Sequence, residues 1–162
     1  MYVRQAWNSD EDWILNKLEE LEVSDEGFRS RDYVLALREN DSKCGIGRLD
    51  IHEDYCIIEF VNIFKDINQS ECLNKIVKSL IKKASEEDFD TVFYIGEESP
   101  SDYFEMDTVS EDDVPFETTT EDEIYEMDVK KTLGIKTSEE RIEELAEEFG
   151  YDDDVSTKYS ID

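Results

Sequence analysis

Basic residues are missing from a long stretch of this chain. No Lys or Arg occurs between Lys83 and Lys130, and residues 84–129 sum to a charge of −18. Histidine is nearly absent too: His52 is the only one, so a zinc site is not expected, and no metal is. Cys44, Cys56 and Cys72 are odd in number and show no C-x-x-C spacing. They are expected as reduced, mostly buried thiols of a cytoplasmic protein. No run of 18 apolar residues exists, so no membrane span is expected, and the opening "MYVRQAW" lacks the apolar stretch of a signal peptide. There is no G-x-S-x-G, no phosphate-cradling Walker loop and no basic patch with interleaved aromatics. Direct nucleic-acid binding is therefore not expected.

What the chain does have is acid. Apolar and charged residues each make up 38% of 162 residues, enough for one core inside an unusually acidic surface. The net charge is −28. One reading is adaptation to a salt-loving cell, where molar salt shortens the Debye length to about 3 Å and like charges hardly repel. Another is a nucleic-acid mimic whose carboxylates occupy a basic site on a protein partner. Periodic apolar residues argue against a disordered acidic segment over most of the chain. The charge is uneven: −6 over residues 1–28, +1 over 29–83, −18 over 84–129 and −5 over 130–162. A mimic should concentrate charge in this way, and a long acidic loop would also do so.

The pattern of residues predicts a short strand over 2–6 and a helix to about residue 22, with Ser9 as N-cap and Asp10, Glu11 and Asp12 in its first turn. "DYVLALREN", "GIGRLDIH" and "YCIIEFVNIF" (55–64) read as a three-stranded antiparallel meander. A helix beginning near Ser70 carries the stripe Leu73, Ile76, Val77, Leu80, Ile81 and Ala84, with Lys75, Lys78 and Lys82 on the solvated side. "TVFYIGE" (91–97) arrives after that helix, so it is expected parallel to 55–64. A short helix including "DYFEM", a loop over 107–122, a strand "EIYEMDVKK" and a helix capped by Thr137 and Glu140 complete the order. The units are a domain over 1–132, a C-terminal helix over 133–150 and a flexible acidic tail over 151–162.

That β-α-β-β-β-α-β order resembles the GNAT N-acetyltransferase fold over residues 2–132. "VRQAW" before an acidic-capped helix, "CGIGRLDIH", the strand–loop–helix "IIEFVNIFKDINQSECLNKIVKSLIKKA" and "YFEMDTV" each resemble segments of that family. The resemblance implies a mixed, mostly antiparallel α/β sheet flanked by helices, with strands 55–64 and 91–97 parallel and splayed. It also implies acetyl transfer from acetyl-CoA to an amine. The family's Q/R-x-x-G-x-G/A loop holds a pyrophosphate on backbone N–H groups at a helix start, where partial positive charge and unpaired donors coincide. By position, that loop corresponds here to Ile63, Phe64, Lys65, Asn68, Ser70, Glu71, Cys72 and Leu73. Asn68 falls near the Q/R position, and Glu71 and Leu73 stand where the glycines are. Ser70 is expected to cap the helix, and Glu71 to present an internal anion to its dipole.

The resemblance implies Glu59 as the base and a Tyr as the proton donor to the departing thiolate. The alternative for Glu59 is a strand-end carboxylate paired with Arg48 or with solvent. In "YFEMDTV" the usual Tyr position holds Phe104, which leaves the neighbouring Tyr103 as the candidate acid. His52 reads as structural. Two functions stay open: an acetyltransferase of unknown amine substrate, its activity reduced or lost with the altered loop, and a non-catalytic interaction protein offering residues 84–129 to a basic partner.

Overall fold

The computed structural model describes residues 1–64, 67–96, 104–118 and 121–134. Seven strands form one sheet: β1 (Tyr2–Gln5), β2 (Tyr33–Leu37), β3 (Lys43–Ile51), β4 (Cys56–Ile63), β5 (Thr91–Ile95), β6 (Asp107–Val109) and β7 (Ile124–Asp128). Their order across the sheet is β1-β2-β3-β4-β5-β7-β6. All neighbours are antiparallel except β4 and β5, which run parallel. A helix, α2 (Gln69–Glu86), makes the crossover between them. A parallel pair needs such a connection, whereas β2, β3 and β4 need only hairpins.

α2 lies on one sheet face. Ile76, Val77, Leu80, Ile81 and Ala84 fall on one side of it at helical spacing and bury against Val34, Ala36, Ile58 and Val92. Glycine on β3 lets the helix come this close. A Cβ on Gly47 would stand 2.5 Å from Ile76 Cγ2 and 3.1 Å from Leu80 Cδ1. The opposite face holds α1 (Glu11–Glu20), whose Ile14 and Leu18 pack with Tyr33, Leu35, Ile46 and Phe60. A third cluster, Ile57, Phe93, Ile95 and Ile124, spans β4, β5 and β7. The last described helix, α3 (Val129–Leu133), packs against α2. Asp128 starts it by accepting from Lys131 N at 2.8 Å, and Gly134 ends it at φ +71°.

Several local expectations are corrected. Ser9 does not cap α1. It lies inside a 3-10 turn, Asn8–Asp10, and Asp10 ties that turn down by accepting from Trp7 N at 2.7 Å and from Arg4 at 2.8 Å. Ser70 does not cap α2 either. The helix starts earlier, and the Asn68 side chain accepts from Glu71 N at 3.0 Å. Residues 107–109, read as loop, pair with β7 as an edge strand. Lys130 and Lys131, read as strand, are in α3 because the Asp128 cap ends β7. Phe104–Met106 are not helical, while 101–103 of that expected segment, the helix begun at Thr137 and the acidic tail lie outside the described residues. All three cysteines are free and buried.

Candidate functional site

β4 and β5 pair at Ile57↔Phe93 and Ile58↔Tyr94, yet β4 runs on to Ile63. Beyond Ile58 the two strands part, and a cleft of about 370 Å³ opens between them. Glu59, Val61, Asn62 and Ile63 form one wall, and Tyr94, Ile95, Gly96 and Asp122 the other. Gln69 and Leu73 close it from the first turns of α2.

A β-bulge aims Glu59. Arg48 stands opposite Phe60 and Asp50 opposite Ile57, so Ile58 and Glu59 together face Leu49. Bulges commonly re-aim a side chain in this way. Phe60 ends beside the Arg48–Asp50 pair, with the Arg48 guanidinium 5.4 Å from its ring, and Glu59 precedes it at the bulge. Of the alternatives for Glu59, an Arg48 pairing is not formed: Arg48 pairs with Asp50, Nε to Oδ1 at 2.9 Å, and Glu59 is exposed. Glu59 is exposed and lines the cleft. Partial burial, and then the Asp50 carboxylate, push its carboxyl above the usual range against the pull of Arg48 and His52. Burial raises Asp50 as well. His52 stacks on Tyr55 with ring centroids 4.5 Å apart.

At the start of α2, no described residue accepts from the N–H groups of Gln69 and Ser70, while those of Glu71 and Cys72 go to Asn68. Two donors at a helix N-terminus are thus open to an anion. Glu71 does not fold back over them. Its carboxylate leans along the helix to Lys75, Oε1 to Nζ at 3.4 Å. Ile63 and Leu73 reach the cleft, but the other loop positions diverge. Phe64 turns to the α1 side, 6.3 Å from Trp13 and under Lys17 at 4.6 Å. Cys72 is fully buried among core residues, so neither its side chain nor its bonded N–H faces the cleft. Lys65 and Tyr103 lie outside the described residues. Burial pushes the Cys56 and Cys72 thiols up to about 12, which leaves both protonated and unsuited to nucleophilic work.

Sequence reasoning missed Tyr94, Asn62, Gln69, Asp122 and Asp50. For Asn62 a signal existed: once 55–64 and 91–97 are set parallel and splayed, residues near the end of 55–64 border the gap. Asp122 comes from the stretch before β7, and no local pattern points to it. Among the described residues no group of three His, Cys, Asp or Glu can hold a metal ion, and no helix is long and apolar enough to cross a membrane.

This is the GNAT fold: a mostly antiparallel sheet with one parallel, parted pair and a helix crossing between its strands. Solved structures of that fold superpose on the chain at low identity. N-acetylglutamate synthase from Neisseria gonorrhoeae, complexed with coenzyme A and N-acetyl-glutamate, is 17% identical over 78% of this chain and 34% of its own, with a TM-score of 0.63. The chain thus spans about a third of that enzyme's length. Rv2747 from Mycobacterium tuberculosis, in complex with CoA, is 14% identical over 79% of this chain and 99% of its own, at a TM-score of 0.62. A GNAT-family acetyltransferase from Staphylococcus aureus is 12% identical over 79% and 98%, at 0.58. No protein-family model and no curated protein matches the chain.

Proposed function

We propose that this chain is an N-acyltransferase that moves an acetyl group from acetyl-CoA to a small amine in the β4–β5 cleft, with a weakened hold on the pyrophosphate. The observation that carries this reading is the cleft itself, with an exposed carboxyl of raised proton affinity on one wall and, at its α2 end, two N–H groups that no described residue accepts from. The donor set fits a coenzyme A arm: Val61, Asn62 and Ile63 offer a parted strand edge, and Gln69 and Ser70 offer N–H groups to phosphate. Acetyl-CoA bound there supplies an acetyl carbon activated as a thioester. Glu59 takes one proton from the acceptor ammonium and returns it to water. The nitrogen–carbon bond then forms as the carbon–sulfur bond breaks, and the nitrogen's second proton goes to the leaving sulfur. Tyr94 on the far wall, or Tyr103, supplies a phenol for that last transfer and regains its proton from the nitrogen.

Compared with a glycine loop, the hold is short of donors: a hydrogen bond to a charged group is worth about 1.5–3 kcal/mol. Leu73 also fills space at the cleft end. Calorimetric titration with acetyl-CoA in molar KCl should give an affinity no better than about millimolar, roughly −4 kcal/mol. Replacing Ser70-Glu71-Cys72-Leu73 with Arg-Gly-Cys-Gly should tighten it by one to two orders of magnitude, about 1.4 kcal/mol per factor of ten. Absence of binding by both proteins would overturn the enzyme reading. It would favour a non-catalytic GNAT-fold protein in a salt-rich cytoplasm, or one that presents its −18 segment to a basic partner.

A further inference from the structure

A second recess of about 240 Å³ lies on the α1 side of the sheet, between the 24–32 segment and β3. Phe28 and Tyr33 form an aromatic wall, their ring centroids 5.3 Å apart. Arg48 and Asp50 form its inner end. The recess adjoins the cleft, because Asp50 at its inner end stands opposite Ile57 at the bulge that sets Glu59 on the cleft wall. Resting on the acyltransferase reading above, we propose that this recess is the acceptor site, and that it takes a compact primary amine with an aromatic or aliphatic body and no carboxylate.

Charge and size set that choice. Arg29 is held by Asp32, Nε to Oδ2 at 3.0 Å. Arg48 is held by Asp50, by the Tyr33 hydroxyl at 3.2 Å and by the Ser24 carbonyl at 3.4 Å. Both cations in the lining are therefore committed to groups of the protein. Among the described residues no ion pair holds Glu26 in the lining or Glu59 beyond Asp50. An ammonium relieves this excess of negative charge, and an acceptor carboxylate adds to it. Arg48 Nε and Asp50 Oδ2 are both buried without a hydrogen-bond partner, although the two side chains form an ion pair. The Asp50 carboxylate also helps to raise the proton affinity of Glu59, at the point where the amine must give up its proton. At about 30 Å³ per water, the recess holds the volume of roughly eight waters, which suits an acceptor of on the order of ten heavy atoms.

The test uses amide NMR on the full chain with three probes of one shape: 2-phenylethylamine, phenylalanine and 3-phenylpropionate. The amine should shift the Gly27 and Phe28 amides saturably, phenylalanine should bind at least tenfold more weakly, and the propionate should not bind. Equal or tighter binding of phenylalanine, shifts that avoid residues 24–33, or no saturable response to the amine would each overturn the proposal. Acetyl-CoA is titrated into a separate sample and read at Gln69 and Ser70. Shifts from acetyl-CoA but none from the amine would sink the acceptor site alone. Shifts from the amine but none from acetyl-CoA would sink the acyltransferase reading and leave an amine-binding recess.

Discussion

Glu71 is the residue whose charge most directly opposes a phosphate at the α2 start, and Glu71→Gln isolates that effect. The side chain is about half exposed, so the dielectric of water applies, and it pairs with Lys75 at 3.4 Å. With Glu71 neutral, Lys75 remains, and the local field changes from a balanced pair to a net positive charge. At a separation of about 6 Å, two phosphate charges and one carboxylate interact by roughly 1.4 kcal/mol at ε of about 80. Screening reduces this to about 0.8 kcal/mol in 0.1 M salt, where the Debye length is about 10 Å. In 1 M salt, with a Debye length of about 3 Å, it falls to about 0.2 kcal/mol. Calorimetry should therefore show Glu71→Gln binding acetyl-CoA about fourfold tighter than the parent at 0.1 M KCl and less than about 1.5-fold tighter at 1 M. Circular dichroism at both salts checks that the two proteins are equally folded. No change at 0.1 M would mean that Lys75 already silences the carboxylate. A gain that persists at 1 M would mean that its origin is steric, and either result refutes the electrostatic account.

Gly47→Ala should cost about 1–3 kcal/mol by overpacking against Ile76 and Leu80, and lower the melting temperature by roughly 2–4 °C for each kcal/mol. Asp10→Asn should cost about 3 kcal/mol, because it strands Arg4 at a buried carboxylate. Arg4 holds the Asp10 carboxyl below its ordinary 3.8, so the wild-type contribution is full above that value and disappears as pH falls through the lower folded value; an acid titration of stability should show the variant losing that step. If the acyltransferase reading holds, Glu59→Gln should reduce kcat by about 10²–10⁴-fold. The acid limb of the wild-type rate profile should then lie above the ordinary 4.5 and move down in Asp50→Asn, since Asp50 helps to raise Glu59. In dilute buffer the domain should melt lower than in molar KCl, because 45 carboxylates then repel over a Debye length of roughly 30 Å at 0.01 M. A flat or rising melting temperature on dilution would count against salt adaptation.

Strand and helix order was legible because each element has a single dominant period. β2 alternates between the two faces that α1 and α2 cover, and α2 repeats its apolar stripe every three or four residues. The parallel setting of β5 followed from the intervening helix. Caps were less legible, since Asn68 and Ser70 are both good N-cap residues and only the chain's exit from β4 decides between them. The bulge at Ile58–Glu59 carries no glycine or proline to announce it, so the influence of Asp50 on Glu59 was hidden. β6 was hidden for another reason. "DTV" is three residues long and becomes a strand only because β7 offers it an edge.

The distribution of cations gives the acidity a structural sense. Arg4, Arg29 and Arg48 each hold a carboxylate that the fold has drawn inward: Asp10, Asp32 and Asp50. Planar guanidinium suits that task, because it satisfies a carboxylate with several donors at once. Lys43 adds to Asp10, and Lys83 is buried against Gln5. These cations therefore neutralise the interior and the β1–β4 half of the sheet. The other half, β5 to β7, comes from the stretch without Lys or Arg, and among the described ion pairs only Lys131 to Glu105 reaches it. The stretch 84–129, which supplies β5 to β7, carries −18 of the −28, and the cleft lies between β4 and β5, where the two halves of the sheet meet. The described lining of that cleft includes Glu59 and Asp122 and no Lys or Arg, so a polyanionic coenzyme there would meet like charge. High salt weakens that repulsion by shortening the reach of each charge. Acidity of this kind and coenzyme binding are thus compatible at molar salt and opposed in dilute buffer.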